Sequence, residues 1–323
     1  MSYAIRIHET GGPEKMRWEE VEAGSPGPGQ VLVRNTAVGL NFIDVYQRTG
    51  LYPLSLPLTL GMEGAGVVEA VGPKVKEFKV GDRVAYANPI GSYAEVCLRP
   101  VERLVKVPAG VSDKIAAAIM LKGMTAWYLV KRTYKVRKGD TILVHAAAGG
   151  VGQILCQWAK HLGATVIGTV GSDEKAVLAK KAGCKHVIVT SREKFVDRVK
   201  EITKGKGVPV VYDGVGKDTF MDSLDCLAPL GMMASFGNAS GAVTQFNPGV
   251  LAQKGSLFLT RPTLYTYTGK REDLVKAARD LFAVVKSKAV RISINQTYPL
   301  REAAQAHIDL EARKTTGSTV LLP

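Results

Sequence analysis

The sequence predicts an α/β protein in two parts, a β-rich module of short strands and a doubly wound parallel sheet. Three observations lead there. From Gln30 onward, short β-branched runs alternate with Gly, Asp and Pro. From Thr141 onward, strand-like runs alternate with helical ones. The first of these later runs ends in a glycine-crowded stretch, "HAAAGGVG" (145–152). A length of 323 residues suffices for two domains, and 46% hydrophobic content allows each its own core.

Taken in order, "GSPGPG" (24–29) carries both chain breakers and reads as a loop or hinge. "VLVRNTAVGL", "GAGVVEAVG", "GDRVAYA" and "SYAEVCLRP" then read as strands of a compact antiparallel barrel or sandwich. Near Val111 the texture changes. "SDKIAAAIMLKGMTAWYLVKR" predicts a helix capped by Ser112 and interrupted at Gly123. Beyond it the pattern predicts strand 141–146, helix 150–161, strand 165–170, helix 173–182 stopped by Gly183, strand 186–189, helix 195–204, strand 208–213, helix 220–227 and strand 231–236. Such alternation places helices on both faces of a parallel sheet. "REDLVKAARDLFAVVKS" and "REAAQAHIDLEARK" add two helices before a last strand, a segment expected to return to the first domain.

No apolar stretch approaches the length that spans a bilayer, "MSYAIRIHETGGPEK" lacks the apolar core of a signal peptide, and "TVLLP" is no lipidation box. The expectation is a soluble, cytoplasmic protein. Cys97, Cys156, Cys184 and Cys226 are too scattered for a metal or redox pair and read as reduced thiols. The formal charge of +14 favours anionic ligands and permits weak nucleic-acid contact. The basic residues are dispersed and lack interleaved aromatics, so charge alone selects neither.

A dinucleotide fold needs a tight turn after its first strand, close backbone approach to a pyrophosphate, and helix amides to hold the anion. In "HAAAGGVG" the G-x-G-x-x-G positions are Ala147, Gly149 and Gly152, with alanine at the first glycine. The strand–turn–helix setting is what lends this match its weight. The next strand decides between cofactors. It ends in Val170, where an NAD enzyme carries an acid for the ribose hydroxyls. Ser172 and Lys175 follow and suit a 2′-phosphate, whereas Asp173 and Glu174 suit it only if they face solvent in the next helix's first turn. NADPH is the expected cofactor. His145 reads as an interior histidine with a ring nitrogen on a backbone carbonyl rather than as an acid–base group. No G-x-S-x-G elbow is present.

With these residues placed, the whole chain resembles the medium-chain dehydrogenase/reductase superfamily, in its quinone oxidoreductase (zeta-crystallin-like) branch. The marks are "GLNFIDVYQRTGLYP", "GMEGAGVVEAVG", "VGDRVAY", "LKGMTAWYLV", "HAAAGGVGQ", "VVYDGVG" and "SFGNASGAV". The resemblance implies a GroES-like catalytic domain over 1–122, a Rossmann NADP-binding domain over 123–262, and a return to the catalytic domain over 263–323, with the active site in a cleft between the two. It also implies a homodimer using the strand near Ser256–Thr260. Zinc-dependent relatives place a cysteine and a histidine where this chain has Asn41 and Met62, and their four-cysteine lobe has no counterpart between Ala85 and Tyr93. Met and a neutral Asn are poor zinc donors, so a metal-free enzyme is expected.

Without a Lewis acid the acceptor must be easily reduced, which fits a quinone. The alternative acceptor is an activated C=C bond of an enone or enal, and RNA binding is the alternative of another class. Carried across, the pattern puts Asn41 near the nicotinamide or the acceptor oxygen, with Tyr46 and Tyr52 lining the site; each tyrosine reads equally as a loop aromatic, and Asp44 as an Asx turn or helix cap. It puts Tyr128, Gly150 and Val151 at the pyrophosphate, Phe236, Gly237 and Asn238 at the nicotinamide ribose, and Arg313 as a further cofactor contact. Family members often carry a tyrosine in an N-Y-R segment near the adenine phosphate. This chain reads "VIVTSREK", and Thr190 is taken to stand there, with stacking lost.

Overall fold

The computed structural model describes residues 2–323. The chain forms two compact units. One runs to Met124 and takes in Thr268–Lys286 and Ile292–Pro323; the other is Thr125–Tyr267 with Ser287–Arg291.

In the second unit six strands form one parallel sheet. Their order is His186–Val189, Thr165–Val170, Thr141–Val144, Val208–Asp213, Leu227–Ser235 and Phe258–Thr260. The chain winds outward one way from Thr141–Val144 and the other way from Val208–Asp213. The strand order therefore reverses between these two, and in such sheets ligands bind outside the carboxyl ends of the strands at that point. Leu143, Ile167, Ile188, Val211 and Met233 fill the core with Phe195, Val199, Phe220 and Leu224 from the covering helices. The strands read as near-continuous apolar runs because both faces of the sheet are covered.

Two expectations need correction. The helix Asp113–Tyr128 runs unbroken through Gly123. That glycine is present for packing: a Cβ there would lie 2.6 Å from Leu281 Cδ1. The helix expected to reach Leu227 stops at Leu224, and Leu227–Ser235 is strand. Parallel pairing of Val208 with Leu227 draws this stretch into the sheet, so the tertiary partner overrides local preference.

In the first unit the 11-residue strand Gln30–Leu40 is central. It pairs antiparallel with Glu63–Val71, Val96–Pro100 and the chain's last strand, Ser318–Leu322, which returns across it from Thr319 opposite Leu40. Arg83–Ala87 and Leu104–Lys106 extend one side, and Ile294–Pro299, not foreseen from the sequence, extends the other. Ser2–Ile7 joins Arg17–Val21 and Leu58–Thr59 in a smaller sheet. Val31, Val33, Val68, Val84 and Leu104 pack one core, and Ile5, Val38, Leu40, Leu60 and Leu321 another. At Asn41 the central strand turns into the helix Phe42–Thr49, which Gly50 ends in the left-handed conformation at φ 81°.

Candidate active site

In the second unit, the predicted turn lies at the carboxyl end of Thr141–Val144. Ala146 adopts φ 50°, Gly149 N–H donates to Ala146 O at 2.9 Å, and the helix Gly150–His161 begins with no side chain capping it. A helix's first amides lack intrahelical acceptors, so Gly150, Val151 and Gly152 offer donors to an anion. The glycines permit the approach. A Cβ on Gly152 would sit 2.2 Å from Ala146 O, and one on Gly149 would sit 3.2 Å from it. Ala147 tolerates its methyl, which is fully buried, and its amide holds the turn to Thr169 O at 3.0 Å. The cradle fits a dinucleotide pyrophosphate.

Two further loops stand at the same edge of the sheet. Asp213, fully buried, accepts from Val215 N and Gly216 N at 2.7 and 3.1 Å and from Thr219 Oγ1 at 2.7 Å, while its carbonyl accepts from Phe236 N. It thereby joins the loop after Val208–Asp213 to Phe236, Gly237 and Asn238. Arg261 secures that segment by donating to Ser235 O and Gly237 O. Tyr128 is buried in a parallel stack on Tyr267, ring centroids 4.5 Å apart, and burial holds its hydroxyl protonated. His145 is interior as expected, but its ring nitrogens meet hydroxyls rather than a carbonyl: Thr169 Oγ1 at 2.8 Å and Ser223 Oγ at 2.9 Å. Burial pushes its pKa down.

Ser172 caps the helix Asp173–Lys181, its Oγ accepting from Lys175 N at 3.4 Å. Asp173 and Glu174 occupy that helix's first turn and are exposed. Arg192 holds Asp173 in an ion pair at 2.6 Å, which offsets the charge that counted against a 2′-phosphate. Thr190 spends its hydroxyl on Val170 O at 3.1 Å.

In the first unit, Asn41, Tyr46 and Tyr52 lie on or just beyond the helix Phe42–Thr49, the two tyrosine rings edge to face at 5.3 Å. Arg313 belongs to this unit too, exposed beyond the helix Ala303–Glu311 at φ 59°. Asn41 is buried and its backbone N–H donates to Asp44 Oδ2 at 2.8 Å, so Asp44 does serve as a helix cap. The Asn41 side-chain Nδ2 donates to Glu63 Oε1 at 3.0 Å. Glu63 is fully buried; Leu121 N reaches its Oε2 at 2.6 Å, and Lys122 Nζ reaches Oε1 at 2.5 Å. Tyr93 O–H donates to Asp44 Oδ2 at 2.9 Å and lies 3.2 Å from His307 Nε2; Arg48, on His307 Nδ1 at 3.0 Å, closes this buried network. An always-charged arginine on Nδ1 places the ring proton on Nε2. Burial, then the neighbouring Arg48 charge, pushes the His307 pKa down to about 3. Burial raises Asp44 to about 7, against the Asn41 and Tyr93 hydrogen bonds and the Lys122 charge. Sequence reasoning missed Glu63, Lys122, Tyr93, His307, Arg192, Asp213 and Arg261. The visible signal for Lys122 was a lone cation inside the apolar run "AAAIMLKGM".

Comparison with known proteins follows this division. Residues 27–109 match the alcohol dehydrogenase GroES-like domain, and residues 150–283 match the zinc-binding dehydrogenase family. A quinone oxidoreductase of Pseudomonas aeruginosa is 55% identical across the whole of both chains. A 2-haloacrylate reductase of a Burkholderia species is 51% identical over 100% of this chain and 99% of its own. The crystal structure of Escherichia coli quinone oxidoreductase complexed with NADPH superposes with a TM-score of 0.98 at 49% identity, covering 99% of this chain and 100% of that one.

The metal in the second family's description does not fit the residues present. Asn41 directs its amide nitrogen at a carboxylate that already holds an ammonium, and Met62 accepts a contact from Gln47 Nε2 at 3.2 Å. Among the described residues no three His, Cys, Asp or Glu side chains group to hold a metal ion. The glycine cradle, the reversed strand order and full-length identity to several quinone oxidoreductases agree, and the chain belongs to the quinone oxidoreductase family of the medium-chain dehydrogenases/reductases.

Proposed function

We propose that the protein is an NADPH-dependent oxidoreductase that reduces quinones. The observation that carries this is the Gly152 turn, where any side chain would collide with the Ala146 carbonyl, so the backbone is kept free for a phosphate. In this reading Tyr128, Gly149, Gly150, Val151 and Gly152 hold the pyrophosphate, Ser172 and Lys175 the 2′-phosphate, Phe236–Asn238 the nicotinamide ribose, and Arg313 adds a contact. Bound NADPH supplies a hydride. Asn41 orients the acceptor oxygen, and Tyr46 and Tyr52 give it an apolar wall with hydroxyl edges. The 51% identity to a 2-haloacrylate reductase favours a second reading, reduction of an activated C=C bond.

Titration of the purified protein with NADPH and NADH, then turnover of a benzoquinone beside a haloacrylate, tests both readings. NADPH should bind more tightly, and Lys175→Ala should weaken NADPH about 10-fold more than NADH, the size of one lost charge-assisted bond. Equal losses would mean the 2′-phosphate lies elsewhere, and turnover of the haloacrylate alone would favour the second reading.

We also propose a homodimer through the outer strand Phe258–Thr260. Among the described residues one edge of this strand has no partner in the sheet, and Phe258 and Leu230 are 57% and 67% exposed. An open apolar edge invites pairing with a second copy. Sedimentation should give twice the chain mass, and Phe258→Asp should halve it. A wild-type monomer would end this proposal. The four buried free thiols suit a cytoplasmic setting, where cysteines stay reduced.

A further inference from the structure

The strand start at Glu63 and the helix Asp113–Tyr128 bring together an ion pair that the cofactor cradle does not explain. Lys122 is 5% exposed and Glu63 is 0% exposed. A buried ion pair is weak as a stabilising device, because removing both ions from water costs about what their attraction returns. Its partners are also unequal. Glu63 is well satisfied, accepting from Leu121 N, Asn41 Nδ2 and Lys122 Nζ. Lys122 Nζ carries three N–H groups and meets one acceptor among the described residues, Glu63 Oε1. The ammonium thus keeps donor capacity in a site where a polar group without partners is costly. Asn41 Nδ2 and Lys122 Nζ share one carboxylate oxygen, so the two nitrogens are close neighbours. The Lys122 charge also reaches Asp44, three residues beyond Asn41.

We propose that the Lys122 ammonium, held beside Asn41 by their common bond to Glu63, is the fixed positive charge that steadies the oxygen of the acceptor as that oxygen becomes anionic. This rests on the reading above, in which Asn41 faces the acceptor oxygen and NADPH is the reductant. When a hydride adds to an enone, a C–H bond forms at one end and the displaced π pair moves onto oxygen, which then takes a proton from water. Quinone reduction by a hydride likewise leaves a phenolate that water protonates. In each case negative charge grows on one oxygen. A charge that is already in place needs no reorganisation to meet it. Glu63 fixes the ammonium by one N–H, leaving the others for that oxygen. The residues at the family's metal-ligand positions do not fit a metal, and this cation supplies a positive charge in the same neighbourhood.

The test uses Lys122→Met made together with Glu63→Gln, which leaves no buried charge alone, and Lys122→Arg, which keeps the charge. In the double variant, kcat for an enone should fall about 100-fold, the usual loss on removing one donor to a developing oxyanion. The fall for benzoquinone should be several-fold smaller, because its anion is intrinsically more stable. KM for NADPH should stay within twofold, and Lys122→Arg should recover part of the enone rate. A second readout needs no turnover. 4-Nitrophenol bound to the cofactor-free protein should show a larger phenolate fraction on wild type than on the double variant at one pH. The inference is overturned if both acceptors lose rate equally, or if the phenolate fraction is the same on the two proteins. Wild type that reduces neither acceptor would sink the functional reading instead, which the phenolate comparison does not require.

Discussion

Gly152→Ala should raise the dissociation constant for NADPH by about 100-fold or more and lower the melting temperature by a few degrees. The added methyl would lie 2.2 Å from Ala146 O and 2.9 Å from Ala147 Cα, both backbone atoms that cannot rotate away. Either the helix Gly150–His161 retreats or the turn shifts, and both displace the amides at its start. Overpacking of this kind costs about 1–3 kcal/mol in stability. Two misplaced amide–phosphate bonds, at about 1.5–3 kcal/mol each, account for the larger loss in binding. Gly149→Ala should be milder in both respects, since its Cβ would approach the same oxygen only to 3.2 Å. Isothermal titration with NADPH and thermal melts of both variants check the ranking. A Gly152→Ala protein that binds NADPH within twofold of wild type would remove the phosphate turn from the account.

Asp44→Asn should abolish a pH dependence of stability that wild type carries between mildly acidic and alkaline pH. Burial raises the folded carboxyl from 3.8 to about 7, so the folded protein keeps a proton that the unfolded chain has released. Stability from this group is full below the unfolded value and is lost as pH rises toward and through the folded one. Between about pH 5.5 and about pH 8.5 the loss amounts to about 2 kcal/mol. Glu63 and Lys122 flank the carboxyl, Tyr93 bonds it, and Arg48 and His307 stand behind Tyr93. His307 works in the opposite sense. Its depressed pKa of about 3 gives stability that is lost as pH falls below its ordinary 6.5. That contribution is common to both proteins and cancels in their difference. Denaturant unfolding at several pH values should show the gap between wild type and Asp44→Asn changing by the amount given. A gap independent of pH would mean Asp44 is ionised throughout.

The cofactor half was the more legible because its elements are local. Gly149 and Gly152 stand in one turn, and a strand, that turn and a helix can be read within some twenty consecutive residues. The strands Thr165–Val170, His186–Val189 and Val208–Asp213 have the bounds their apolar runs predict. Where a distant partner intervenes, the reading fails. Gly123 looks like a helix breaker until Leu281 is seen against it, and Leu227 looks helical until Val208 pairs with it. Asp173 looks hostile to a phosphate until Arg192 is found on it.

From its residue order alone, this chain determined its two-part α/β architecture, its glycine turn and the poor metal donors Asn41 and Met62, because periodicity, glycine placement and donor chemistry are properties of short stretches. Only the tertiary structure decided the company Asn41 keeps. Glu63 is 22 residues from it and Glu63 is 59 from Lys122, while Tyr93 and His307 are 214 apart. Buried polar groups must find partners wherever the fold supplies them, and no local pattern records which distant partner that will be.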